Sequence, residues 1–144
     1  MDHLSRRGFL SRSLAILPTL TACGRGIGDP SLATPPADGV EVTAAFVRID
    51  LQRTPSLAVI GSSLVVPAAN IMVMHTGINE FRAVSNVCTH AGCGIYEFTN
   101  WRLRCQCHGS EFDSLGNNLV GPALLPLTRF VTELTASVLV ITRT

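Results

Sequence analysis

Lysine is missing: all 11 basic side chains are arginine, set against 10 acidic ones, for a formal net charge of +1. Without a basic excess the chain has no electrostatic footprint for nucleic acid. A long apolar run is missing too. The N-terminal stretch Ser11–Ala22 is only moderately apolar and is interrupted by Pro18, so it falls far short of the roughly 20 residues that cross a bilayer as a helix. Nowhere does an apolar pattern of helical period run long enough to define a helix. No Ser–His–acid set and no paired carboxylates stand apart from the cysteine-rich segment, which leaves an independent hydrolase unsupported. There is no internal repeat.

What is present is β pattern. The 144 residues suffice for one domain with a modest core. Val40–Asp50 alternates in part and is rich in β-branched residues, and short apolar runs follow at Leu57–Ile60, Leu64–Val66 and Ile71–His75. Thr76–Asn79 reads as a hairpin turn into Glu80–Val84, and Ser114–Asn118 as a second turn. Leu124–Thr128, Phe130–Thr135 and Val138–Thr142 complete the series. The expectation is an all-β, antiparallel domain with loops inserted between Val87 and Leu125.

Those loops carry the chemistry. Cys88-Thr89-His90-Ala91-Gly92-Cys93 and Cys105-Gln106-Cys107-His108-Gly109-Ser110 hold four of the five cysteines and two of the four histidines. Each box offers a Cys and a His at short spacing, Cys88-x-His90 and Cys105-x-x-His108, with 14 residues between His90 and Cys105. Thiolates are soft donors and neutral imidazoles borderline ones, so two of each suit either zinc or an iron–sulfur cluster. A zinc finger places its paired cysteines and paired histidines differently and needs only four ligands. Cys93 and Cys107 are left over.

The paired boxes resemble those of high-potential Rieske proteins of the kind found in cytochrome bc-type quinol-oxidising complexes. Phe81-Arg82-Ala83-Val84-Ser85 before the first box and Gly121-Pro122-Ala123 after the second extend the likeness, which covers about Val40 to Thr142. The resemblance implies a Rieske-type antiparallel β-sandwich or barrel with a small cluster-binding subdomain, about residues 86–125, and a [2Fe-2S] cofactor. It implies Cys88 and Cys105 as thiolate ligands of one iron and His90 and His108 as imidazole ligands of the other. It implies a Cys93–Cys107 disulfide tying the two loops, which persists only in an oxidising compartment, and Ser110 as hydroxyl donor to a bridging sulfide. Two residues depart from the family pattern: Gln106 stands where a proline is usual, and Phe112 where high-potential members carry tyrosine. Hydrogen bonds to cluster sulfurs tune the potential, so the potential is expected within about −150 to +300 mV and below that of a tyrosine-bearing relative.

The N-terminus reads as an address. Ser5-Arg6-Arg7-Gly8-Phe9-Leu10 resembles the twin-arginine export motif, and Leu20-Thr21-Ala22-Cys23 resembles a lipobox. Residues 1–22 are thus expected to be a signal peptide and Cys23 a lipidated anchor. The Gly-, Pro-, Ala- and Ser-rich stretch over 23–39 is expected to be a flexible tether, leaving 40–144 as the domain.

Together these features imply an electron-transfer protein tethered on the periplasmic side of the membrane. The resemblance implies a quinol or membrane redox complex as donor and a c-type cytochrome or similar acceptor, in an oxidoreductase subunit rather than a stand-alone enzyme. A ligand imidazole could take up a proton as the electron arrives. The other readings are the ferredoxin of a Rieske oxygenase, whose boxes lack the two extra cysteines, and a zinc-binding module without redox function. Elsewhere the plain readings win. His75 is expected to be a surface or strand-end histidine, His3 part of the export segment, and Trp101 and Tyr96 packing for the cluster loops. Glu111 and Asp113 are read as solvated loop residues.

Overall fold

The computed structural model describes residues 38–143. The expected export signal over residues 1–22, Cys23 and the expected tether up to residue 37 lie outside the described residues. Eleven strands run through the described chain: β1 (Val40–Val42), β2 (Phe46–Asp50), β3 (Ser63–Val66), β4 (Ile71–Gly77), β5 (Glu80–Ser85), β6 (Glu97–Thr99), β7 (Arg102–Arg104), β8 (Glu111–Asp113), β9 (Asn118–Val120), β10 (Arg129–Thr135) and β11 (Val138–Thr142). They form an antiparallel seven-stranded sheet in the order β1-β2-β11-β10-β5-β4-β3 and a separate four-stranded meander β6-β7-β8-β9. No α-helix occurs among the described residues, and no helix among them is long and apolar enough to cross a membrane.

Three of the expected strand runs fold otherwise. Val40–Asp50 is two strands joined by a tight turn, because Thr43 exchanges backbone and hydroxyl hydrogen bonds with Phe46 at 2.9–3.0 Å. Leu57–Ile60 is not a strand. Pro55 presets the backbone angle for a single 3₁₀ turn over Pro55–Leu57, closed by Ala58 N–H on the Pro55 carbonyl at 3.1 Å. Leu124–Thr128 is loop, with Pro126 in its middle and Leu124 90% exposed. Conversely, β6 to β9 are strands that the sequence pattern does not display, since three residues are too few to show alternation. The β6–β7 hairpin turns on Asn100 and Trp101, both at positive φ (52° and 66°), as a two-residue primed turn requires.

Strand β4 explains how the two sheets share one body. Ile71, Met72, Val73 and Met74 are all fully buried, so the run shows none of the alternation of a half-exposed strand. The two faces serve different cores. Ile71 and Val73 join Val47, Ile49, Leu139 and Ile141 in the core of the seven-stranded sheet. Met72 and Met74 turn the other way and pack with Ile95, Leu103, Phe112 and Leu127 under the meander, together with Cys88 and Cys105. The flexible thioethers of Met72 and Met74 suit an irregular gap between a sheet and a set of loops.

Candidate metal centre

The two boxes fold into loops of one hydrogen-bond pattern. In the first, Cys88 N–H donates to the Cys93 carbonyl (2.8 Å) and Gly92 N–H to the Cys88 carbonyl (2.9 Å). In the second, Cys105 N–H donates to the Ser110 carbonyl (2.9 Å) and Gly109 N–H to the Cys105 carbonyl (3.0 Å). In both, the fifth residue is a glycine at positive φ, +74° for Gly92 and +75° for Gly109, with open space where a Cβ would stand. The backbone angle alone calls for glycine there. The first loop springs from β5 and is pinned at its base by the Val87–Gly94 bridge and by Ile95 N–H on the Asn86 carbonyl (2.7 Å). The second connects β7 to β8.

The resulting donors are split by exposure. Cys88 and Cys105 are 3% and 1% exposed, and both are free thiols. Burial pushes the Cys105 thiol up; the N–H groups of Cys107 and His108 oppose that, and the adjoining Cys88 thiol adds to it. Amide donors at that sulfur are the environment in which a thiolate is stabilised. His90 and His108 are exposed, their rings 4.7 Å apart and nearly perpendicular, with the two Nδ1 atoms 3.3 Å from each other. Two sulfurs inside and two nitrogens at the surface, brought from two loops, suit a binuclear iron–sulfur cluster in donor type and number.

Cys93 and Cys107 are joined in a disulfide, with Cα atoms 6.5 Å apart. The sulfurs of Cys93, Cys105 and Cys107 all lie within 4.8 Å of one another. Proximity does not make these three a ligand set, because the bridged pair has no thiolate to offer.

A third loop, from β9 to β10, closes over both boxes. Thr89 Oγ1 donates to the Leu125 carbonyl at 2.7 Å, and Ala123 N–H donates to Ser110 Oγ at 3.1 Å. Ser110 is fully buried, and that bond occupies an acceptor position on its hydroxyl, leaving the O–H free to donate. Gly121, at φ +97°, lies so close to the second box that a Cβ would stand 2.5 Å from Ser110 Cα. This close approach, rather than a turn alone, explains the glycine that opens Gly121-Pro122-Ala123.

The neighbouring residues resolve into structural roles. Phe112 is fully buried and carries no hydroxyl toward the thiols it packs with. Gln106 donates to Glu97 at 3.3 Å, Glu111 pairs with Arg102 at 2.8 Å, and Asp113 caps its turn by accepting from Asn117 and Leu115. Glu111 and Asp113 are therefore engaged side chains and not merely solvated ones. Trp101 is half-exposed and meets Phe98 edge-on at 6.1 Å, and Tyr96, though 70% exposed, lays its ring over Gly94 at the base of the first loop, where a Cβ would stand 2.5 Å from it. His75 lies on β4 away from the boxes, stacked on Phe81 at 4.4 Å with Nδ1 2.9 Å from the Leu57 carbonyl.

Comparison with known proteins agrees with this geometry. The family model described as the Rieske [2Fe-2S] domain matches residues 49–131. The chain is 38% identical over 74 residues to the cytochrome bc1 complex Rieske iron-sulfur subunit of Corynebacterium diphtheriae, an alignment covering 42% of this chain and 18% of that one. It is 36% identical over 61 residues to the cytochrome b6-f complex iron-sulfur subunit 2 of the Cyanophora paradoxa cyanelle, covering 42% of this chain and 25% of the other. The chain thus matches a minor part of these relatives' length. Among solved structures, the plasma membrane Rieske protein PetC3 of Synechocystis PCC 6803 superposes with a TM-score of 0.53 at 25% identity, over 72% of this chain and 100% of that one.

Proposed function

Since the chain belongs to the Rieske [2Fe-2S] family and is homologous to bc1 and b6-f Rieske subunits, we propose that it carries electrons between a quinol-oxidising membrane complex and a c-type cytochrome or similar acceptor. Its cofactor is a [2Fe-2S] cluster, which supplies reversible uptake of one electron. Cys88 and Cys105 would hold one iron and His90 and His108 the other, with Ser110 donating its hydroxyl proton to a cluster sulfur.

The observation that carries the reading is the split of the donors, two thiols buried and two imidazoles at the surface of bridged loops. Exposed imidazoles let a partner approach the electron-accepting side directly, while the buried sulfurs keep water from the other. The disulfide favours this reading over an oxygenase ferredoxin and fits an oxidising compartment. With residues 1–22 as export signal, Cys23 lipidated and 23–39 as tether, the domain would work from the periplasmic face of the membrane.

Fractionation of the expressed full chain tests the placement. The account expects an iron-bearing protein in the membrane fraction, reduced by a quinol only when a b-type cytochrome complex is present. Replacing Cys23 by serine should release it to the soluble fraction. Recovery of the unprocessed chain in the cytoplasm, with its cluster intact, would refute the location while leaving the family standing.

A further inference from the structure

Four cysteines surround the centre, and they are not equivalent. One buried free thiol, Cys105, has its sulfur within 4.8 Å of both sulfurs of the Cys93–Cys107 bridge. A free thiol beside a disulfide is the reactant pair of thiol–disulfide exchange. The two boxes that carry these sulfurs face each other from separate loops, the first after β5 and the second between β7 and β8, so the thiol and the bridge meet without unfolding either sheet.

We propose that in the chain without its cluster Cys105 attacks the bridge, giving a Cys93–Cys105 disulfide and a free Cys107, so that cluster binding must come before the bridge is left exposed to this thiol. In the step, Cys105 Sγ gives up its proton and bonds to Cys93 Sγ. The Cys93–Cys107 bond breaks, its electron pair leaves with Cys107 Sγ, and that sulfur takes up a proton. One S–S bond is exchanged for another, and neither oxidant nor reductant is consumed.

Ring size selects this direction. Attack at Cys107 would instead bridge two cysteines separated by the single residue Gln106, a small and strained ring. The product has lost one of the two buried thiols and shows a new one at the surface. The consequence for assembly rests on the reading that Cys105 holds iron: the exchanged chain could no longer take a cluster. Iron at Cys105 would in turn silence the attacking sulfur, so the bridge and the cluster protect one another.

The test uses the full chain prepared with and without iron, with its bridge formed, incubated at mildly alkaline pH. At intervals the thiols are alkylated with iodoacetamide and the bridges mapped on peptides without reduction. Expected is a Cys93–Cys105 bridge in the iron-free chain and a rise on the order of tenfold in Cys107 alkylation over the iron-loaded chain. Cys105→Ser, iron-free, should keep Cys93–Cys107 and leave Cys107 unlabelled. A bridge that stays at Cys93–Cys107 in the iron-free chain overturns the proposal. So does general scrambling in which Cys88 or another cysteine enters new bridges, since that reports unfolding. Failure of the ligand reading looks different: Cys105→Ser would then keep the visible absorption of the loaded protein.

Discussion

The seven-stranded sheet and the loop-bearing meander are held by different means. Between its faces the larger sheet buries aliphatic side chains from β2, β4, β5 and β11, and its strands pair in runs of up to five residues. The meander has strands of three residues, and much of its core is borrowed: Met72, Met74 and Val84 belong to the other sheet, and two of its buried side chains are the thiols Cys88 and Cys105. Short strands expose much backbone for little apolar burial. The larger sheet is a scaffold stabilised by the hydrophobic effect, whereas the meander depends on a covalent bridge, a third loop laid across it and, on the proposed ligand assignment, bonds to iron.

The sharpest way to break that contrast is Phe112→Ala, which empties the largest side chain from the meander's core. A cost of about 3–5 kcal/mol is expected, read by amide hydrogen exchange as lost protection in β6 to β9, with β2, β4 and β11 still protected. Equal loss across both sheets would show a single cooperative unit. Next is Cys107→Ser. Removing a cross-link over a sequence separation of 14 residues should cost roughly 3 kcal/mol in denaturant unfolding if loop entropy governs, again confined to the meander. Ser110→Ala leaves the buried Ala123 N–H without its acceptor, a loss of about 1–3 kcal/mol. It also removes the hydroxyl, so the reduction potential should fall. Ser110→Thr should retain most of both if the hydroxyl is what matters.

The contrast also marks how much could be read without coordinates. The two short boxes are plain in the sequence, and the structure brings Cys88 and Cys105 into one core, His90 and His108 side by side, and Cys93 and Cys107, the pair that the family resemblance implies, into a bridge. The strands of the scaffold that alternate or run apolar were legible too, apart from turns set by one hydroxyl or one proline, as at Thr43 and Pro55. What stayed hidden depends on contacts distant in sequence. Nothing near Met72 and Met74 says that they serve a second core, and nothing near Gly121 says that Ser110 lies against it. The identical turn pattern of the boxes was present in the sequence as Cys-x-x-x-Gly, in Cys88–Gly92 and Cys105–Gly109, but their different histidine spacing conceals it.

Acid should touch the two regions unequally. Burial pushes the Asp113 carboxyl up, but its bonds from the Asn117 side chain and from the N–H groups of Asn117 and Leu115, with the charge of Arg129, outweigh that and hold it below the ordinary aspartate value of 3.8. A carboxylate lowered by folding contributes stability that is full above that value and is lost as pH falls through the lowered one. Acid titration below 3.8 should therefore loosen the β8–β9 turn, and Asp113→Asn should flatten that response. In the scaffold, Glu80 is also lowered, first by its hydrogen bond from Arg82 and then by that residue's charge. It is solvent-exposed, so the scaffold's response should be weaker and should fade in salt.

Phe112→Tyr is the finest adjustment, expected to raise the potential with little change in stability, provided the new hydroxyl reaches a thiolate sulfur. A bond favouring the reduced state by about 1.4 kcal/mol would move a one-electron potential by about 59 mV. An unchanged or lowered potential would deny that this buried position tunes the centre.

The asymmetric grip itself is tested most directly by electron paramagnetic resonance of the reduced, iron-loaded full chain, with nitrogen hyperfine couplings resolved. The account predicts a binuclear cluster signal coupled to two imidazole nitrogens, with one coupling lost on replacing His90 or His108. A spectrum without nitrogen coupling, or a colourless chain holding zinc, would contradict it.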